Sequence, residues 1–158
     1  MPSQVLSSQV PEEVGVSAWV RLLRAHAAVT RQLSARLEAG HGLTLSDYDV
    51  LVQLYLAEGH RLRRIDLARQ VLLTASGITR LLDRLERAGL VAKESCAADA
   101  RVTYAVLTKT GLERFEESRA SHIADIDELF SSRFNAEECE ALGDLLGRLP
   151  LAETACSE

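Results

Sequence analysis

The stretch ASGITRLLDRLERAGLV, residues 75–91, carries apolar and basic residues at helical spacing. Thr74 precedes the stretch and can cap a helix with its hydroxyl, and Gly89 can end that helix after Arg87. Apolar residues share one side of it: Ile78, Leu81, Leu82 and Leu85. Small and basic residues share the other side: Ser76, Gly77, Arg80, Arg84 and Arg87. The pattern predicts a helix that packs on the protein through its leucines and turns its arginines either to solvent or to a polyanion.

Three further helical patterns precede this helix. Apolar residues recur at helical spacing over residues 17–42, which predicts a long first helix. Ser46 and Asp49 have the spacing of a capping box, so we expect them to open a second helix. Residues 65–70 form a short third helix, and residues 61–64 before it can pair as a strand with a later segment. The long helix and the two short ones therefore lead directly into the residue 75–91 segment.

A hairpin and two more helices follow. Residues 90–94 and 102–107 are rich in β-branched or alternating residues, which predicts two strands joined by a polar turn. Thr108 is expected to cap a fifth helix, and Asn135 with Glu138 a last one. Two short helices joined by a tight turn and followed by a hairpin are typical of a winged helix-turn-helix.

The predicted fold is mainly α with a small β-hairpin wing, an α+β class in which terminal helices flank the winged helix-turn-helix. We assign residues 1–16 to a flexible N-terminal arm and residues 151–158 to a C-terminal tail. Residues 43–107 form the winged region, and residues 17–42 and 108–150 form a helical dimerisation region.

The helices of the C-terminal region carry large apolar residues that one small winged module would leave poorly covered. They are Phe115, Ile126, Leu129, Phe130, Leu145 and Leu149. A second copy of the chain can cover them, which predicts a homodimer.

Charge is distributed unevenly along the chain. The net charge is −5, but residues 60–101 hold nine basic and five acidic residues, a local charge of +4. The remainder of the chain carries −9. A basic centre between acidic ends is expected when one face meets phosphates.

Arg80 is the strongest candidate for contact with a DNA base, because a guanidinium can bond two acceptors of guanine at once. Thr79 can assist it at a base edge or a phosphate, and the small residues Ser76 and Gly77 allow close approach to the groove.

Backbone phosphates are the expected partners of basic and hydroxyl residues around this helix. These residues are Arg63, Arg64, Thr74, Arg84 and Arg87. In the hairpin, Arg101 is placed to enter the minor groove, and Asp99 can brace its guanidinium. An ordinary surface ion pair is the alternative for these last two residues.

Residues 75–91, the DAR of residues 99–101 and the LTKTG of residues 107–111 resemble the MarR family of bacterial regulators. The resemblance implies a homodimer of winged domains on a palindromic operator, with repression relieved by a small ligand or an oxidant. It also implies that Arg101 is the wing arginine and Asp99 its support. The recognition-helix positions carry over to Ser76, Gly77, Thr79 and Arg80.

Two sensing modes remain open for such a regulator. The family often binds aromatic or phenolic ligands between its dimerising helices and the DNA-reading module, and candidate residues are Trp19, His26, Tyr48 and Tyr55. Alternatively, Cys96 lies in the wing, where its oxidation could disturb DNA contact. A winged module used for protein assembly without DNA is a third reading.

Other function classes find little support in the sequence. The motifs GxSxG and HExxH and a glycine-rich loop after a strand are absent, so no enzyme is predicted. The three cysteines show no metal-site spacing, and neither a metal nor a cofactor is expected. No stretch is long and apolar enough to span a membrane, and we expect a cytoplasmic bacterial protein.

Overall fold

A computed structural model describes residues 13–71 and 77–150 of the 158-residue chain. Its helices are α1 Val14–His41, α2 Leu45–Leu56, α3 Arg64–Gln70, α4 Ile78–Arg87, α5 Lys109–Ser131 and α6 Ala136–Leu146. The strands are β1 Arg61–Arg63, β2 Val91–Ser95 and β3 Thr103–Leu107, and a 3-10 turn, Glu58–His60, precedes β1. The predicted mainly α fold with a small β wing is confirmed.

The chain divides into two compact units after Gln32. In the described part of the first unit, residues 13–32, α1 is a single helix with exposed Trp19 and Leu23. The second unit begins at Leu33 and contains the end of α1 and all other elements.

Three antiparallel strands form one small sheet in the order β1-β3-β2. Arg63 lies opposite Tyr104, and Val91 lies opposite Leu107. The expected pairing of residues 61–64 with a later strand is therefore confirmed.

The core of the second unit joins α2, α3, α4, the sheet and α5. Its fully buried side chains include Leu51, Leu54, Leu67, Leu82 and Phe115. Within this unit the last turns of α1 pack through buried Leu33 and Leu37, and Arg36 donates to Asp125 and Glu128 of α5 at 2.9 and 2.6 Å.

The first turn of α5 lies in close contact with Gly89 and Leu90, the residues just before β2. Thr108 caps it as predicted, because its hydroxyl accepts from the Gly111 amide at 2.9 Å and donates to the Gly89 carbonyl at 2.6 Å. A Cβ on Gly111 would lie 2.0 Å from the Leu90 carbonyl oxygen, so glycine is required there. Asn135 and Glu138 cap α6 as predicted.

Three predicted helix starts are wrong. Helix α1 begins at Val14, inside the segment assigned to a flexible arm. Helix α2 is capped by Thr44 and Asp47 and not by Ser46 and Asp49, because the Thr44 side chain accepts from the Asp47 amide and Asp47 accepts from the Thr44 amide.

The third difference concerns α4, which begins at Ile78 with Gly77 as its N-cap residue, and not after a Thr74 cap. Gly77 has φ 81°, a left-handed conformation that glycine adopts without the steric cost of a side chain. This conformation interrupts any right-handed helix at that point. Thr74 and Ser76 lie outside the described residues.

Candidate nucleic-acid interface

Helix α4 has the two faces that its sequence predicts. Leu81, Leu82 and Leu85 are buried in the core, whereas Thr79 and Arg80 are exposed. Within residues 13–71 and 77–150, no side chain is paired with Arg80. Its guanidinium is therefore available for an external acceptor.

A polar cleft lies between the first turn of α4 and the start of α2. It has a volume of about 330 Å³ and is lined by Thr44, Ser46, Gly77, Arg80, Leu81 and Arg84. The cleft brings two arginines beside hydroxyl groups from a second helix, which is chemistry suited to phosphate oxygens.

Arg84 has a partner within the protein. Its Nη2 donates to Asp47 Oδ1 at 2.5 Å and to Thr44 Oγ1 at 3.4 Å. The Asp47 side chain is 4% exposed and that of Arg84 is 51% exposed. Sequence reasoning missed this ion pair, although the Thr44-x-x-Asp47 spacing is itself a capping signal.

Arg87 lies at the end of α4 and is exposed. Its Nε donates to the Asp83 carbonyl oxygen at 3.2 Å. Nearby, Lys93 of β2 pairs with Asp83 at 3.3 Å and with Glu86 at 3.1 Å, and these carboxylates raise the pKa of Lys93. These contacts connect the end of α4 to β2.

The hairpin turn brings Asp99 and Arg101 into contact. Asp99 Oδ1 accepts from the Arg101 amide at 3.0 Å and from Arg101 Nε at 3.3 Å. The Arg101 side chain is 92% exposed. The aspartate therefore braces an arginine that projects into solvent.

Tyr104 of β3 lies beside Arg61 and opposite Arg63 of β1. The Arg61 guanidinium lies 4.3 Å from the centre of the Tyr104 ring, and it also pairs with Glu94 at 3.2 Å. Hydrogen bonding to Tyr104 raises the pKa of Arg63. The role of Tyr104 was not predicted, because it depends on strand register. Arg64 lies beside them, with its Nη2 buried and without a partner among the described residues.

The residues predicted for a ligand pocket fall in different units. Trp19 and His26 lie in the first unit and are exposed. Tyr48 and Tyr55 are half-buried in the second, with ring centres 5.5 and 4.7 Å from that of Phe115. Burial raises the pKa of Tyr48, and Arg119 opposes this effect.

His122 of α5 joins this aromatic group, 4.5 Å from Tyr48 between ring centres. It is 6% exposed, and its Nδ1 has no hydrogen-bond partner among the described residues. Burial lowers the pKa of His122, and Asp125 partly offsets the effect. No sequence signal singled out this histidine, because its contact with Tyr48 depends on how two helices pack.

The remaining candidate is Cys96, which lies half-buried at the base of the turn, where its amide donates to the Val102 carbonyl oxygen at 3.0 Å. In the described part of the chain, no group of three or more His, Cys, Asp or Glu residues could hold a metal ion. None of the described helices is long and apolar enough to cross a membrane.

A helix-turn-helix with a basic recognition helix beside an arginine-bearing wing defines a winged helix-turn-helix DNA-binding protein. The MarR family profile matches residues 41–102. The transcriptional repressor YetL of Bacillus subtilis is 33% identical over 114 residues, which cover 70% of this chain and 68% of YetL. The chain belongs to the MarR family of transcriptional regulators.

Solved structures agree with this assignment. AbsC, a MarR family regulator from Streptomyces coelicolor, is 32% identical with a TM-score of 0.75, covering 88% of this chain and 93% of AbsC. Sco3205 from the same organism, solved in complex with DNA, is 25% identical with a TM-score of 0.75, covering 92% of this chain and 89% of Sco3205. This chain is a DNA-binding transcriptional regulator.

Proposed function

We propose that this regulator binds a palindromic operator as a homodimer, with α4 in the major groove and the wing in the adjacent minor groove. The observation that carries the proposal is the exposed Arg80 on a helix whose opposite face is buried in the core. Arg101, exposed on the wing and braced by Asp99, supports it. The protein acts in this proposal by binding in the cytoplasm, without catalysis.

The contacts divide into those that read bases and those that grip the backbone. Arg80 bonds a base edge in the major groove, assisted by Thr79, with Ser76 and Gly77 allowing close approach. Arg101 enters the minor groove. Arg63, Arg64, Thr74 and Arg87 contact phosphates, and these contacts add affinity that depends on salt.

Phe115 and Leu129, which we predicted to be poorly covered by one chain, are buried within it. Dimerisation is supported instead by apolar side chains that the single chain leaves exposed on α1, α5 and α6 and in the turn after α6. They include Trp19, Leu23, Ile123, Leu145 and Leu149. Covering them with a second copy would remove apolar surface from water and place two recognition helices on one duplex.

The signal in this proposal is a small aromatic or phenolic ligand that relieves repression. Tyr48 and Tyr55, half-buried against Phe115, offer ring faces and hydroxyl groups to such a ligand. The ligand contacts predicted for Trp19 and His26 from the sequence stay predictions. The alternative signal is oxidation of Cys96 in the wing. Treating the purified protein with peroxide tests this alternative, and unchanged operator affinity would exclude it.

Selection of bound sequences from a random duplex pool tests the proposal most directly. We expect a palindrome whose half-sites are separated by about one helical turn. Affinity for that duplex is expected to fall steeply as salt rises. If the protein bound no duplex DNA, the alternative of a protein-assembly module would be favoured.

A further inference from the structure

The contact between Asp47 and Arg84 joins the recognition helix to α2. Both oxygens of the carboxylate are used: Oδ2 accepts from the Thr44 amide at 2.8 Å and from Thr44 Oγ1 at 2.9 Å, and Oδ1 accepts from Arg84. The carboxylate therefore holds the start of α2 on one side and α4 on the other.

Burial of the Asp47 carboxylate makes its contact with Arg84 costly to lose. Removing Arg84 would leave the buried Asp47 carboxylate without its charged partner. Asp47 is almost completely buried, so its charge depends on Arg84 for neutralisation. Because the guanidinium and carboxylate charges cancel, the pair adds little net positive charge to the DNA-facing surface.

Position along α4 connects the pair with base reading. Arg80 and Arg84 are four residues apart, so they lie on the same side of the helix, and both line the cleft beside Thr44. Fixing Arg84 against α2 therefore adds to the buried leucines of α4 in holding the rotation of this helix, and with it the direction from which Arg80 would meet a base.

We propose that Asp47 and Arg84 form a positioning pair that sets base specificity by orienting Arg80, and that Arg84 is not a phosphate contact. This inference rests on the proposed DNA-binding function. It replaces the role predicted for Arg84 from the sequence and adds Asp47, which lies outside the recognition helix.

The test compares affinity for the selected operator and for random duplex at several salt concentrations. In Arg84→Met, we expect the ratio of operator to random affinity to fall roughly tenfold, the scale of one lost base contact. The slope of log affinity against log salt should stay at the parent value. A phosphate contact would instead contribute about 0.9 to that slope for each phosphate.

Asp47→Asn tests the same pair from the other side. The amide keeps the size of the carboxylate and one acceptor oxygen, but an NH₂ group now faces Arg84. We expect the same loss of base preference, and we expect Asp47→Asn/Arg84→Met to show little further loss. Asp66→Asn is the matched control, since it makes the same charge change in an exposed ion pair within α3 and should retain the operator ratio.

Arg84→Lys keeps a positive charge opposite Asp47 and provides a test if the methionine variant unfolds. Base preference should be largely retained in this variant. Circular dichroism and thermal melts establish that each variant is folded at the assay temperature.

A reduced salt slope with unchanged base preference in Arg84→Met would overturn the inference, as would additive losses in the double variant. If Arg84→Met does not fold, loss of base preference in folded Arg84→Lys would also overturn the inference. Failure of the parent protein to bind any duplex would overturn the proposed function itself. The two failures are therefore separable.

Discussion

At the scale of single residues, the arginines of this protein differ in what they already contact. Arg80 projects without a partner among the described residues, and Arg101 projects from a brace on Asp99. Arg84 is held by a buried carboxylate, and Arg63 lies opposite Tyr104 in the sheet. Similar side chains in one basic segment are therefore suited to different roles.

Arg101→Ala should weaken operator binding roughly tenfold without changing the fold, because the side chain is exposed and, among the described residues, is paired with Asp99 alone. Fluorescence anisotropy with labelled operator measures the effect. Lys109→Ala is the control, since Lys109 is 91% exposed with a similar weak pair to Glu113 and lies outside the predicted DNA face. Equal affinities of parent and Arg101→Ala would contradict the role of the wing.

His122 should make stability depend on pH. Burial lowers its pKa in the folded state, so the unfolded chain binds the proton more readily. The stability from neutral His122 is complete above the unfolded pKa of about 6.5 and is lost as pH falls from there toward the lower folded value. Urea unfolding from pH 7.5 to 5.5 should show a smaller loss in His122→Phe, which keeps a ring but cannot be protonated. Equal losses would contradict this prediction.

At the scale of elements, close approach decides where glycine is required. Gly111 lies at the start of α5 against the Leu90 carbonyl, whereas the position of a Cβ on Gly143 in α6 is open. Glycine is therefore required at position 111, whereas position 143 has room for a side chain.

Gly111→Ala is expected to destabilise the protein by at least about 2 kcal/mol, because the new Cβ would overlap backbone atoms that cannot move away cheaply. Gly143→Ala is expected to stabilise it by about 0.5–1 kcal/mol, since alanine loses less conformational entropy in a helix. Chemical denaturation of both variants measures the difference. Equal effects of the two substitutions would show that α5 does not pack closely on the sheet.

At the scale of the whole molecule, exposed apolar residues in the C-terminal region and the basic central segment both favour a dimer bound to DNA. Leu145 and Leu149 remain 57% and 46% exposed in the single chain. The +4 charge of residues 60–101 is separated along the sequence from these apolar positions. Dimer contacts and DNA contacts can therefore be tested independently.

Leu145→Asp/Leu149→Asp should shift the protein toward the monomer and reduce operator affinity, because two charges would be buried at the predicted interface. Analytical ultracentrifugation measures the oligomeric state. Leu56→Asp/Ile65→Asp is the control for the oligomeric state and should remain a dimer, since Leu56 and Ile65 are exposed in the winged region. It is not a control for operator affinity, because Ile65 adjoins the proposed phosphate contacts Arg63 and Arg64. A dimer that persists in the first variant would place the interface elsewhere.

The sequence by itself determined most elements, because helix periodicity, strand alternation and capping residues are local properties. It also identified Arg80 as outward-facing, since Arg80 lies opposite the apolar side of a predicted helix. Arg101 was identified as outward-facing because it lies in the polar turn between two predicted strands. Only the tertiary structure decided that Asp47 and Arg84, 37 residues apart, are partners and that the Arg61 guanidinium lies over the Tyr104 ring. Such contacts depend on how elements pack and on strand register, which local patterns do not specify. The start of α4 at Gly77 likewise depends on a backbone conformation that glycine permits but does not impose.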